Sequence, residues 1–429
     1  MAINLRKILF VDEFLQSCRA IGRDKWRYLF LFFQFVIFAD MWKYCRDDTV
    51  MVLNCVLSGA LAMSQGVEWK KIFWVMLVYA LMIVIPIWMY GIDELMFRQY
   101  VGYAIRILTG CFIASYFRRD FISKYENLVF VLAYISIPLF VVQIINPNIY
   151  DVALPLTKIL FNFEYRSSAH RYLIIYVVNG WGLKRNSGFM WEPGAYAMML
   201  SWAMLFLLYE TRFQWNRRMI VYGIAMLTTF SLMGYPSMVL LILMFLAQKS
   251  DWKKIGYTMV GGGLLLLLLM QTPLFQEQRD MMANKVEFYA NDSQIQLYRA
   301  RNRYVIEEQS TKGVGRLAQF YILGDIISEN PFGHGMSDWR YESANGLMNV
   351  IVKWGINAII ILAFSFYFFT KRLAQMAQLQ IKWYIILMTM AVLIMPAISN
   401  PIYNAVFFLT LITFPLFAKR QQIPNIYAR

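Results

Sequence analysis

Apolar stretches of about fifteen to twenty residues, separated by short connectors that carry the charge, recur along most of this chain, and no soluble fold tolerates so many of them. They fall at about 28–42, 49–65, 71–90, 99–117, 127–145, 195–208, 255–270, 356–369, 383–399 and 402–418. A further stretch, 219–246, is too long for one span and short for two. Ser231, Gly234, Tyr235 and Pro236 interrupt its middle, and the Gly-Tyr-Pro run is a turn signal, so it reads as a tight helical hairpin. With 59% hydrophobic and 16% charged residues in 429, the chain has more apolar surface than one soluble core buries. The fold class expected is an all-α polytopic membrane protein with about twelve transmembrane helices, forming a single integral membrane domain over 1–429.

Charge sets the orientation. The short loops assigned to the inside repeat one pattern: Lys70 and Lys71; Arg118, Arg119 and Lys124; Arg212, Arg217 and Arg218; Lys249, Lys253 and Lys254; Lys371, Arg372 and Lys382. The short external turns hold only Lys43, Arg46 and Arg98. By the positive-inside rule both termini are cytoplasmic, and the formal charge of +15 reflects retained Lys and Arg rather than a nucleic-acid partner. The segment 1–27 has apolar residues at helical spacing among Arg and Lys, as suits a helix lying on an anionic inner leaflet. No signal-peptide cleavage site follows it, so the early spans are expected to direct insertion. Cys18, Cys45, Cys55 and Cys111 have no Cys-X-X-Cys spacing, which points to neither a zinc site nor a disulfide framework.

Two long polar segments remain, and both fall outside: 146–193 as a first external loop, and 271–345 as a large, mainly helical extracytoplasmic loop. Inside the spans ionisable groups are scarce, Arg106 being the clearest, whereas an ion-coupled transporter needs paired charges near the midplane. The polar groups concentrate around Arg166, His170, Arg171, Lys184, Arg185 and Glu192 in the first loop, and around Arg316, His334 and Glu342 in the second. Arg binds phosphate oxygens bidentately and keeps its charge, so external arginines beside lipid point to a phosphorylated lipid ligand. His170, Arg171, Arg185 and Arg316 are the candidate phosphate-binding residues, and Glu192, His334 and Glu342 the candidate acid–base groups. Pro193 suits the first turn of a helix and Glu192 before it suits the positive end of the dipole. No acidic cluster has metal-ligand spacing, and Asn330 to Gly335, though glycine-rich, is not a nucleotide loop; no metal or cofactor is called for.

Arg185 to Tyr196, reading RNSGFMWEPGAY, resembles a motif of the bacterial O-antigen polymerases of the Wzy type. Three further elements follow in the order seen in that family and in the related O-antigen ligases. These are Ser231 with Gly234 and Tyr235; Arg316 with Asp325 to Gly335 (DIISENPFGHG); and Ala344-Asn345-Gly346 with Lys353-Trp354-Gly355-Ile356. The resemblance covers roughly Arg185 to Leu362. It implies a GT-C-like glycosyltransferase of the bacterial inner membrane that polymerises undecaprenyl-pyrophosphate-linked oligosaccharide repeats at the periplasmic face, without a metal. Arg185 and Arg316 would hold the donor pyrophosphate, and Glu192, His334 or Glu342 would take the acceptor's proton. The ligases carry His immediately before the loop-end Asn, where this chain has Ala344, which sets the ligase reading second. A lipid-linked oligosaccharide flippase is the alternative without chemistry. The partners implied are the lipid-linked oligosaccharide, the bilayer, a chain-length regulator and a flippase.

Overall fold

The structure, a computed structural model, describes residues 10–39, 42, 44–45, 47–160, 170–178, 185–232, 234–248, 327–328, 330–336, 346–399 and 405–418, with scattered positions between 261 and 283. Most of the span expected at 255–270, most of the loop 271–345, and Arg166, Lys184, Arg316 and Glu342 lie outside the described residues.

Thirteen α-helices are described, opening with α1 (Val11–Arg23), α2 (Lys25–Phe38), α3 (Asp48–Met63), α4 (Trp69–Tyr90), α5 (Glu94–Phe117) and α6 (Asp120–Ile145). The segment after α6 then holds a 3-10 turn (Pro147–Ala153), α7 (Leu154–Leu160) and two short strands, β1 (Arg171–Tyr172) and β2 (Val177–Val178). After it come α8 (Pro193–Glu210), α9 (Arg218–Thr228), α10 (Gly234–Gln248), α11 (Gly346–Ala377), α12 (Trp383–Ser399) and α13 (Val406–Phe417). Each apolar stretch that falls on described residues is therefore a helix, and the 219–246 stretch is two helices; the chain turns at Thr229 to Leu232, and the Gly-Tyr-Pro run, expected as the turn itself, opens the second helix. Four helices, α4, α5, α6 and α11, are long and apolar enough to cross a membrane, and five more are shorter and apolar.

Local chemistry sets several helix starts. Asp47 accepts a hydrogen bond from the Thr49 amide at 2.7 Å to cap α3, and this contact holds its carboxyl below the usual carboxylate range. Asp93 caps α5 in the same way through the Met96 amide at 2.7 Å. Helix α8 is the axis of the bundle: Trp202, Phe206 and Tyr209 are fully buried, and α6, α9, α10, α11 and α12 pack around it. Gly110 on α5 lets the backbone of Leu409 and Thr410 on α13 come within 3.0 Å of where its Cβ would stand. Helix α4 lies at the periphery and turns Phe73, Leu81 and the 85% exposed Trp88 outward, an apolar exterior that fits hydrocarbon rather than water.

The two ends of the bundle differ. At one end α1 lies across α6, and Arg218 is buried with its guanidinium on Glu126 Oε2 (2.7 Å) and Ser17 Oγ (2.7 Å), while Tyr222 donates to Glu126 Oε1 at 2.9 Å. A charge pair this deep in an apolar bundle persists only when each charge has partners, and both do. The candidate functional residues gather at the opposite end, where α4, α6 and α9 finish and α8 and α10 begin.

Candidate functional site

The segment 185–192 folds onto the tip of the α9–α10 hairpin. Helix α9 ends at Thr228, leaving carbonyls with no partner inside the helix. Arg185 supplies the donors: Nε reaches the Thr229 carbonyl at 3.1 Å and Nη2 the Phe230 carbonyl at 3.0 Å. A guanidinium there also meets the negative end of the α9 dipole. Asn186 adds a second clamp, its amide NH donating to the Thr228 carbonyl at 2.9 Å and its side-chain NH2 to Thr228 Oγ1 at 3.0 Å. Its own Oδ1 accepts from the Gly188 amide at 2.8 Å, closing a tight turn. Gln143, in the last turn of α6, donates to the Arg185 carbonyl at 3.4 Å and accepts from the Tyr176 hydroxyl at 2.7 Å. Burial, with Tyr150 and Tyr196 nearby, pushes the Tyr176 phenol well above its usual range, so it stays a neutral donor in this chain of contacts.

Glu192 ends the loop. It holds the N-cap position of α8 in extended conformation (φ −147°, ψ 156°), Pro193 takes the first helical position, and the Glu192 carbonyl accepts from the Tyr196 amide at 3.1 Å. The side chain does not fold back to cap the helix. Glu192 is half-buried, and among the described residues its carboxylate makes no hydrogen bond or ion pair. It sits at the positive end of the most buried helix with neither oxygen engaged by a described residue.

His170 and Arg171 lie on the neighbouring ribbon, where β1 pairs antiparallel with β2 in the register Arg171 to Val178. The ribbon joins the Arg185 loop through the Val177 amide, which donates to the Gly188 carbonyl at 2.6 Å. Arg171 donates through Nε to Asp151 Oδ1 at 2.7 Å, and His170 is buried with its ring stacked on Tyr172, centroids 5.9 Å apart. Both contribute to holding the segment between α6 and α8 in shape.

His334 belongs to a second construction. Helix α11 is broken at Gly355 (φ 58°, ψ −145°), which divides a short entering segment from the apolar span that follows. The run Asn330 to Gly335 docks in the break: the His334 amide donates to the Val352 carbonyl at 3.0 Å and the Gly335 amide to the Lys353 carbonyl at 2.9 Å. In return the Ile356 amide donates to the Pro331 carbonyl at 2.8 Å. Backbone groups freed by the break are thus satisfied by the loop, the condition for irregular backbone at membrane depth. The His334 ring is tilted against Tyr90, centroids 5.5 Å apart, and its Nε2 lies 3.0 Å from the Asn330 side-chain nitrogen, while the Tyr90 hydroxyl donates to the Asn330 side-chain oxygen. With the Asn330 amide as donor, Nε2 is the acceptor and the ring proton sits on Nδ1.

The sequence candidates therefore divide. Arg185 and Glu192 share one loop, His170 and Arg171 sit on the ribbon joined to it, His334 is held by the broken helix and α4, and Arg316 and Glu342 lie outside the described residues. Sequence reasoning missed Gln143, Asn186 and Tyr90 as the groups that orient these side chains. Each stands at the mouth of a span, but which distant atom it meets leaves no mark in the sequence. Among the described residues, no group of three His, Cys, Asp or Glu side chains is placed to hold a metal ion. Compared with family models, curated proteins and solved structures, the chain matches none.

Proposed function

We propose that this protein is a membrane glycosyltransferase that polymerises polyprenyl-pyrophosphate-linked oligosaccharide repeats at the outer face of the bacterial inner membrane. About twelve spans and two cytoplasmic termini complete that proposal. One observation carries it. The four stretches that resemble the O-antigen polymerases pair in space two by two: the Arg185 loop with the Ser231 hairpin tip, and the Asn330 to Gly335 run with Gly355 and its neighbours. Four weak motifs scattered over the chain become two built contacts at one end of the bundle. A shared architecture would require such pairing, and that supports the reading.

In the proposed reaction the acceptor sugar's hydroxyl oxygen attacks the anomeric carbon of the donor. The bond from that carbon to the pyrophosphate oxygen breaks, and the lipid pyrophosphate leaves with the electron pair. Glu192 is the base that takes the hydroxyl proton, because its carboxylate is uncommitted and close to the end of the bundle that would face the lipid-linked sugars. His334 is held for another task, with Nε2 accepting from Asn330. Arg185 and Arg316 are assigned to the pyrophosphate, where fixed cationic donors stabilise the charge that develops on the leaving group. The chain-length regulator and flippase belong to the same proposal as partners.

The test is incubation of the purified full chain with one synthetic lipid-linked repeat unit. A ladder of products spaced by one repeat is the expected result. Unchanged substrate from protein that is folded by thermal unfolding would overturn the polymerase reading; transfer to lipid A core under the same conditions would replace it with the ligase.

A further inference from the structure

At the end of the bundle opposite Arg185, α1, the start of α2 and the start of α6 enclose a cavity of about 280 Å³. Its wall is charged, and nearly every charge is answered. Lys124 pairs with Asp24, Arg27 with Asp120 at 2.7 Å, and Arg218 with Glu126 at 2.7 Å. Arg23 lines the same cavity, is exposed to solvent, and makes no ion pair or hydrogen bond among the described residues. Beside it Tyr28 is 6% exposed, its hydroxyl oxygen accepting from Asn127 Nδ2 at 3.1 Å, with the Lys124 ammonium 4.8 Å from its ring centroid. With that oxygen occupied as acceptor, the phenol's proton has no acceptor among the described residues, and a buried hydroxyl that lacks one is costly. The site thus offers one solvent-facing cation and one buried O–H donor, a combination that suits an anion with acceptor oxygens.

We infer that this cavity binds a phosphate group, held by the Arg23 guanidinium and the Tyr28 hydroxyl with Lys124 as the nearby second cation. Its volume is near the lower bound of small-molecule sites, roughly 300 Å³, and takes a phosphate with a short substituent rather than a nucleotide. The phosphate has two possible sources, an acidic phospholipid headgroup or a free phosphate compound. The first is favoured by the surroundings: α1 packs Phe14 and Ile21 against the core, and Trp26, 71% exposed at the start of α2, is the kind of side chain found at a membrane interface. This inference does not depend on the proposed polymerase activity, because it concerns the other end of the molecule.

Thermal unfolding of the full chain in neutral detergent tests it, with phosphatidylglycerol, phosphatidylcholine or sodium phosphate added in separate titrations. A saturable upward shift with phosphatidylglycerol alone identifies the headgroup; a shift of the same size with sodium phosphate identifies a free phosphate compound. In either case the Arg23→Gln, Tyr28→Phe double variant should bind the active titrant at least about tenfold more weakly, the usual consequence of losing a charge-assisted hydrogen bond. Arg19→Gln removes a cation from the same helix without touching this cavity's wall, and should leave the titration unchanged. No shift with either phosphate titrant overturns the inference. So does a shift that survives the double variant, or one that Arg19→Gln weakens as much, since that would be the general attraction of a basic surface. Ligand-free melting of the double variant, together with its polymer output in cells, shows whether it is folded. A variant that melts early is replaced by Tyr28→Phe alone, read by the same titration.

Discussion

Arg185 and Glu192 stand in one loop and are used in opposite ways. The arginine is engaged, with two of its nitrogens on the carbonyls of Thr229 and Phe230; the glutamate is uncommitted among the described residues. Their substitutions should therefore separate stability from turnover. Arg185→Ala leaves two carbonyls at the end of α9 without their donor and should cost about 1–3 kcal/mol of stability as well as activity. Arg185→Lys keeps the charge but cannot reach both carbonyls with a planar fork, so it should fall between wild type and alanine in both respects. Glu192→Gln keeps shape and polarity, and should leave unfolding within about 0.5 kcal/mol of wild type while slowing chain growth roughly 10²- to 10⁴-fold. Polymer length on gels at matched membrane levels, beside thermal unfolding of the purified variants, checks both. Normal polymer from Glu192→Gln would remove it from the reaction. The importance of this loop was legible, because charge at the threshold of an apolar helix has few cheap explanations. Its partner was not, since the hairpin tip lies 44 residues further along and offers backbone carbonyls, which every residue carries.

Among the elements, the broken helix α11 is where local sequence and long-range packing meet most clearly. The division at Gly355 was readable in advance, with an interfacial helix over 346–354 and a span from 356, because glycine and a change of polarity coincide there. That Asn330 to Gly335 would fill the gap was not readable, since the glycine-rich run had no periodicity to place it. Both glycines at the contact are forced: Gly333 (φ 81°) and Gly355 (φ 58°) have positive φ, and a Cβ on either would collide with the other segment's backbone. Gly355→Ala combines a backbone region nearly closed to other residues, worth about 1–3 kcal/mol, with a clash against the Pro331 carbonyl. It should lower stability by more than about 2 kcal/mol and release the His334 segment, seen as an earlier melt and new protease cleavage near residue 333. Gly223 on α9 meets no atom within 4 Å of its would-be Cβ, so Gly223→Ala should be neutral or raise stability by up to about 1 kcal/mol. Equal loss from both variants would mean that the break is not a fixed contact.

The whole molecule is organised by sidedness, and the proposed function stands on which end faces out. The helices legible from hydropathy recur wherever residues are described, because bilayer-length apolar stretches leave a chain no alternative to helix. What hydropathy leaves open is which helix lies at the centre: α8 is buried on every side, yet its sequence is no more apolar than that of the peripheral α4. Lipid and protein interior are similar solvents for an apolar side chain, so burial between helices has little signature. Orientation, by contrast, rests on charge, and in the proposed topology the basic loops put the α3–α4 turn inside and the loop after α6 outside. Ser64 and Asn148 are exposed at these two places. In a background without Cys18, Cys45, Cys55 and Cys111, a cysteine at 148 should react with a membrane-impermeant maleimide in intact spheroplasts, whereas one at 64 should react only after lysis. The reverse pattern would put Glu192 and Arg185 on the cytoplasmic side, where extracytoplasmic lipid-linked repeats cannot reach them, and the glycosyltransferase proposal would fall with the topology. Labelling of both positions in intact cells would instead mean that the helices between them do not form a closed barrier, which the continuous packing of α5 against α3 and α13 argues against.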